Sequence, residues 1–134
     1  MTIHHFSSIL IVDDSSAVRS VVRKILTQLG FKNLDEAADG EAALAKISDK
    51  HFGLVISDWN MEPMSGQSLL ENVRSNKQHA NLPFIMMTAG PSIEKVVKAE
   101  HAGVTCFINK PFRAEELQAK ILQTSTDNRA AASA

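Results

Sequence analysis

Tyrosine is absent from this chain, and tryptophan and cysteine occur once each, as Trp59 and Cys106. One thiol cannot close an internal disulfide, so stability has to come from an ordinary apolar core. Cys106 lies within an apolar stretch and reads as a buried, inert thiol. This usage suits a reducing compartment, and the cytoplasm is the expected setting. No apolar run approaches the roughly 18 residues of a membrane span. Residues Met1 to Phe6 lack the charged and apolar regions of a signal peptide. An excess of one charge is missing too. The 14 basic and 15 acidic residues leave a formal net charge of −1, so no overall field draws the chain to nucleic acid or to a membrane. The histidines, His4, His5, His51, His79 and His101, show no metal-ligand spacing and read as surface residues. No repeat or linker divides the chain. Its 134 residues, 44% hydrophobic and 22% charged, fit one domain with a normal core, and a monomer is expected.

What the chain does have is four apolar runs, each closed by polar residues. Ile9-Leu10-Ile11-Val12 ends in Asp13-Asp14. Leu54-Val55-Ile56-Ser57 ends in Asp58, followed by Trp59-Asn60-Met61. Phe84-Ile85-Met86-Met87 ends in Thr88-Ala89, and Cys106-Phe107-Ile108 ends in Asn109-Lys110-Pro111. In an open parallel sheet these ends share one edge, where ligands bind. Three carboxylates, a hydroxyl and an ammonium meeting there suit a hard metal ion and a phosphoryl group.

Strands and helices alternate along the chain. Strands are expected at Ser8–Val12, weakly at Asn33–Ala37, and at Gly53–Ser57, Pro83–Met87 and Thr105–Asn109. Apolar periodicity places helices at Ser15–Leu29, Glu41–Ile47, Gly66–Ser75, Ser92–His101 and Ala114–Thr124. Asp14 or Ser15 can cap the first helix, and Gly30 fits the position after its end. Ile93, Val96 and Val97 form the apolar set of the fourth helix; Leu117, Ile121 and Leu122 form that of the fifth. This is a (βα)5 chain. Its later strands are apolar throughout rather than alternating, as in a sheet covered on both faces, and right-handed crossovers make it doubly wound. The core spans about 7–124. Residues 125–134, small and polar, read as a frayed tail.

Asp13-Asp14, Asp58, Thr88-Ala89 and Lys110-Pro111-Phe112, one per strand end in this order, resemble the receiver domain of bacterial two-component response regulators. The likeness covers about residues 7–124. Through Asp58-Trp59-Asn60-Met61 and Lys110-Pro111-Phe112 it is nearest to the single-domain chemotaxis regulators of the CheY type. The resemblance implies the flavodoxin-like strand order 2-1-3-4-5. It also implies Asp58 as phosphoacceptor, a histidine kinase as donor, and an output protein such as a flagellar motor switch component. A phosphatase is a further partner. Such a domain catalyses only its own phosphorylation and dephosphorylation and is not otherwise an enzyme.

The chemistry agrees with that implication. Phosphoryl transfer to a carboxylate has to overcome repulsion between anions, and a divalent cation offsets it. Mg²⁺ is the expected ion. Asp14, Asp58 and the Asn60 backbone carbonyl can supply its protein ligands, with Asp13 acting through water. Lys110 can pair with one phosphoryl oxygen, and the Thr88 hydroxyl can donate to another. Thr88 and Phe107 are the expected switch pair. Trp59 reads as a partly exposed rim residue.

Three positions depart from the receiver pattern. Proline falls one place late, in Met61-Glu62-Pro63-Met64-Ser65-Gly66, so Glu62 can alter kinase docking. Gly90 stands two beyond Thr88, where a larger polar side chain is usual, which bears on dephosphorylation. Phe107 occupies an aromatic switch position without the phenolic hydroxyl of a tyrosine. Other readings weighed are a phosphate sink or relay, a phosphorylation-independent interaction module, a flavin-binding electron carrier and an aspartyl-nucleophile hydrolase. The intact acidic pair, Asp58, Thr88 and Lys110 speak against the interaction module, and Asp13-Asp14 would repel a flavin phosphate after the first strand without a metal. No substrate pocket or cap domain supports a hydrolase.

Overall fold

The computed structural model describes residues 3, 5–90 and 92–133. Five strands, β1 (Ser8–Val12), β2 (Asn33–Ala37), β3 (Leu54–Asp58), β4 (Phe84–Thr88) and β5 (Cys106–Asn109), alternate with five helices. These are α1 (Ser16–Gln28), α2 (Gly40–Asp49), α3 (Gly66–Ser75), α4 (Ile93–Ala102) and α5 (Ala114–Ser133). The strands form one parallel sheet in the order β2-β1-β3-β4-β5, as the resemblance to receiver domains implies.

Each apolar run feeds both faces, because successive side chains in a strand point to opposite sides. Leu10, Val12, Val55, Phe84 and Met86 pack with Ala43 and Ile47 of α2, Leu69, Leu70 and Val73 of α3, and Ala99 of α4. Ile9, Ile11, Leu54, Ile56, Ile85, Met87 and Ile108 pack with Val22, Ile25 and Leu26 of α1 and with Leu117 and Ile121 of α5. Burying two such layers drives folding at roughly 25 cal/mol per Å² of apolar surface removed from water.

Serine and aspartate caps start the helices. Ser15, not Asp14, caps α1, taking the Val18 amide; Asp39, Ser65 and Ser92 cap α2, α3 and α4. Gly30 and Gly103 take the left-handed backbone that follows a helix. Three expectations are corrected. In α4, Ile93 is 85% and Val97 46% exposed. Ala99 is buried and Ala102 packs against the core, while Val96 is half-buried, so the apolar period marked a face centred away from the one that docks. Leu122, read as an inward residue of α5, is also exposed. Finally, α5 runs past the end read at Thr124, through a segment with no glycine or proline to stop it. Cys106 is buried, its Sγ 3.3 Å from Thr124 Oγ1. His5, His51 and His101 lie at the surface and His79 is half-buried; His4 lies outside the described residues. Among the described residues no helix is long and apolar enough to cross a membrane.

Candidate functional site

Sheet register brings the polar strand ends together. Val12 pairs with Ser57, so Asp13 and Asp58 each follow this pair by one residue. Thr88 pairs with Asn109, which sets Lys110 one residue beyond; its amide donates to the Thr88 carbonyl at 2.8 Å.

Carboxylate oxygens of Asp13, Asp14 and Asp58 lie within 4.8 Å of one another. Asp13 and Asp58 are buried, whereas Asp14 is exposed. Lys110 Nζ reaches over both buried acids, 3.0 Å from Asp13 Oδ2 and 2.9 Å from Asp58 Oδ1. The other Asp13 oxygen accepts the Ser15 amide at 2.9 Å. Thr88 is buried at the end of β4, its Oγ1 3.4 Å from the amide of Gly90. Asn60 is exposed in the loop after β3.

Electrostatics follow from the charge count: three carboxylates face one ammonium. Burial pushes the Asp58 carboxyl above its ordinary value. The Asp13 charge pushes the same way, against the hydrogen bond from Lys110. For Lys110, burial works to lower the ammonium, but its bonds to Asp58 and Asp13 outweigh it and the net shift is upward. Both groups therefore hold protons more tightly than usual, as expected where positive charge is in short supply. The donor set is all hard oxygen, so the residues fit a small divalent cation.

Asp13, Asp14, Asp58, Thr88 and Lys110 lie at one sheet edge, as expected from the strand ends, but Trp59 departs from its expected place. Trp59 is 8% exposed and belongs to the core beside Val55, Leu69 and Met86. Its amide still bonds the Met87 carbonyl at 3.0 Å. Strand alternation thus continues one residue past Asp58 and turns the indole inward, not to the rim. Lys95 Nζ lies 5.8 Å from the indole centroid. Phe107 is half-buried against the same core. Arg19 was not foreseen. Its Nη1 donates to the Asp13 carbonyl at 2.6 Å and its Nε to Glu36 Oε1 at 3.0 Å. Nothing in a helical arginine announces a bond to a backbone carbonyl of another element.

Beside the acids an apolar hollow of about 470 Å³ is lined by Ala17, Val18, Val21, Ala89, Pro111 and Phe112, with Lys110 at its border. Gly90 borders open space: a Cβ there would meet nothing within 4 Å.

Comparison with known proteins agrees with this geometry. Residues 9–122 match the response regulator receiver domain. The chain is 43% identical over 113 residues to chemotaxis protein CheY-3 of Vibrio cholerae, covering 84% of this chain and 87% of that protein. It is 41% identical to chemotaxis protein CheY of Pseudomonas aeruginosa, covering 84% and 91%. The fold superposes on the solved structure of Vibrio cholerae chemotaxis protein CheY4 with a TM-score of 0.84 and 34% identity, over 89% of this chain and 98% of that one.

Proposed function

This chain belongs to the response regulator receiver domain family, and we propose that it is a phosphorylation-activated switch in chemotaxis signalling, phosphorylated on Asp58. The observation that carries the reading is Lys110 spanning Asp13 and Asp58 at the edge where the three carboxylates converge. The relatives named as chemotaxis proteins, at 41% and 43% identity, support the pathway.

In the proposed step a histidine kinase presents a phosphohistidine. An Asp58 carboxylate oxygen attacks phosphorus, an O–P bond forms and the N–P bond breaks. The electron pair stays on the departing imidazole nitrogen, which takes up a proton from solvent. Asp14, Asp58 and the Asn60 carbonyl would hold Mg²⁺, with Asp13 acting through water, and a cation held there would supply positive charge against the approaching phosphoryl group. Lys110 moves its ammonium from the Asp58 carboxylate to a phosphoryl oxygen, and the Thr88 hydroxyl donates to another.

Output follows from a population shift. Thr88 moves toward the phosphoryl group and Phe107 follows it inward, changing the surface of α4, β5 and α5. Ile93 and Val97 already expose apolar surface there. The reader of that surface is a separate protein, in this account a flagellar motor switch component, and the setting is the cytoplasm. A phosphatase completes the cycle. Capture from a lysate on the immobilised monomer, with and without beryllofluoride as phosphoryl mimic, tests this. Mimic-dependent retention of a motor switch component is expected. Retention of a kinase alone, unaffected by the mimic, contradicts the output role and favours a phosphate sink.

A further inference from the structure

Asp13 is held at more points than an ion-pair partner needs. Its amide donates to the Ala37 carbonyl of β2 at 3.1 Å. Its side chain takes Ser15 and Lys110. Its carbonyl oxygen accepts Arg19 Nη1 at 2.6 Å, the shortest of these contacts. Arg19 lies in the first turn of α1, and its side chain is only 17% exposed. The guanidinium is fixed from behind by Glu36 of β2, whose second oxygen takes Arg23 Nε at 2.6 Å.

We propose that Arg19 is a positioning residue for the cation site, acting through the Asp13–Asp14 peptide. The inference rests on the reading of Asp13, Asp14 and Asp58 as that site. A peptide unit is planar, so fixing the Asp13 carbonyl also fixes the nitrogen and Cα of Asp14. Asp14 is the exposed member of the cluster, and its carboxylate takes its place largely from this backbone. Mg²⁺ demands near-octahedral geometry and tolerates a misplaced ligand poorly. Residues that orient ligands without touching the metal typically carry about 10- to 100-fold of affinity.

Two features separate this role from a plain brace between α1 and β2. Arg23 grips the same Glu36 from the same helix, but its other bond goes to the Leu34 carbonyl at 3.3 Å, so it is a built-in control. Charge also has the opposite sign of effect. Removing a cation near three carboxylates strengthens Mg²⁺ binding by Coulomb attraction alone, whereas losing the orientation weakens it. Lysine keeps the charge but not the fork that spans Asp13 and Glu36 together.

Mg²⁺ affinity of the unphosphorylated protein, measured by calorimetry for the parent, Arg19→Gln, Arg19→Lys and Arg23→Gln, decides the matter, with urea unfolding run alongside. Both Arg19 variants are expected to bind Mg²⁺ about 10-fold or more weakly. Arg23→Gln is expected to match the parent in affinity while losing stability. Parent-like or tighter binding by Arg19→Gln, or an equal loss in Arg23→Gln, overturns the inference while the cation reading stands. A parent that binds no Mg²⁺ overturns that reading and the inference with it.

Discussion

Lys110 Nζ sits 2.9 Å from Asp58 Oδ1 while also holding Asp13 at 3.0 Å, so one ammonium is shared by two buried carboxylates. Removing it leaves both without their cation, and a stranded buried charge costs more than the pair is worth. Lys110→Met is therefore expected to lower unfolding stability by roughly 1–3 kcal/mol. Added Mg²⁺ should restore more stability to the variant than it gives the parent. Urea unfolding with and without Mg²⁺ checks this; equal stability of the two proteins in the absence of Mg²⁺ contradicts it.

Trp59 follows Asp58 and is buried, so its emission should report on the cation. Mg²⁺ is expected to change Trp59 fluorescence in the parent. Asp14→Ala, at an exposed position, should weaken the apparent affinity about 10-fold or more, because a lost ligand is hard to replace in so strict a geometry. An unaltered titration curve in this variant removes Asp14 from the ligand set.

Glu36 receives Arg23 and Arg19, and the hydrogen bond from Arg23, more than that from Arg19, holds its carboxyl below the ordinary 4.5 despite opposing burial. A carboxyl whose pKa is lower folded than unfolded stabilises the protein above the unfolded value. That contribution fades as pH falls through the folded value. Glu36→Gln should thus destabilise at pH 7 and lose its effect as pH falls below the ordinary carboxylate range and through the folded value. Coincident stability curves for parent and variant across this range would show that the pairs contribute nothing, and parallel offset curves that the contribution is not the carboxylate's charge.

Gly66 starts α3 directly beneath the site. Its amide bonds the Trp59 carbonyl at 2.8 Å, and an added Cβ would overlap the Asp58 carbonyl oxygen and crowd Met86 Sδ. Backbone cannot yield cheaply, so Gly66→Ala is expected to cost about 1–3 kcal/mol. It should also slow labelling of Asp58. Wild-type stability and labelling together would mean that the loop absorbs the methyl group.

Much of this arrangement is legible in the chain. Apolar runs closed by Asp13-Asp14, Asp58, Thr88 and Lys110 locate one sheet edge, since parallel strands deliver all their C-terminal ends to the same side. Strand ends shifted by a single residue, as at Asp58 and Thr88, which the structure includes in β3 and β4. What stayed hidden depends on tertiary facing. Ile93 and Val97 have helical spacing but lie on the outer stripe of α4, because the small Ala99 and Ala102 allow closer approach. Trp59 looks like a rim residue until the ladder is seen to continue past Asp58. Arg19 is one of two arginines in α1 until β2 brings Glu36 alongside.

Asp58 as the acceptor of the phosphoryl group is the centre of the account, and intact mass spectrometry with peptide mapping tests it most directly. The parent, incubated with Mg²⁺ and a small acyl phosphate donor, should gain the mass of one phosphoryl group, mapped to Asp58 and lost on removal of Mg²⁺ from the reaction. Asp58→Asn should gain none under the same conditions. Equal labelling of Asp58→Asn, or no labelling of the parent, contradicts the account.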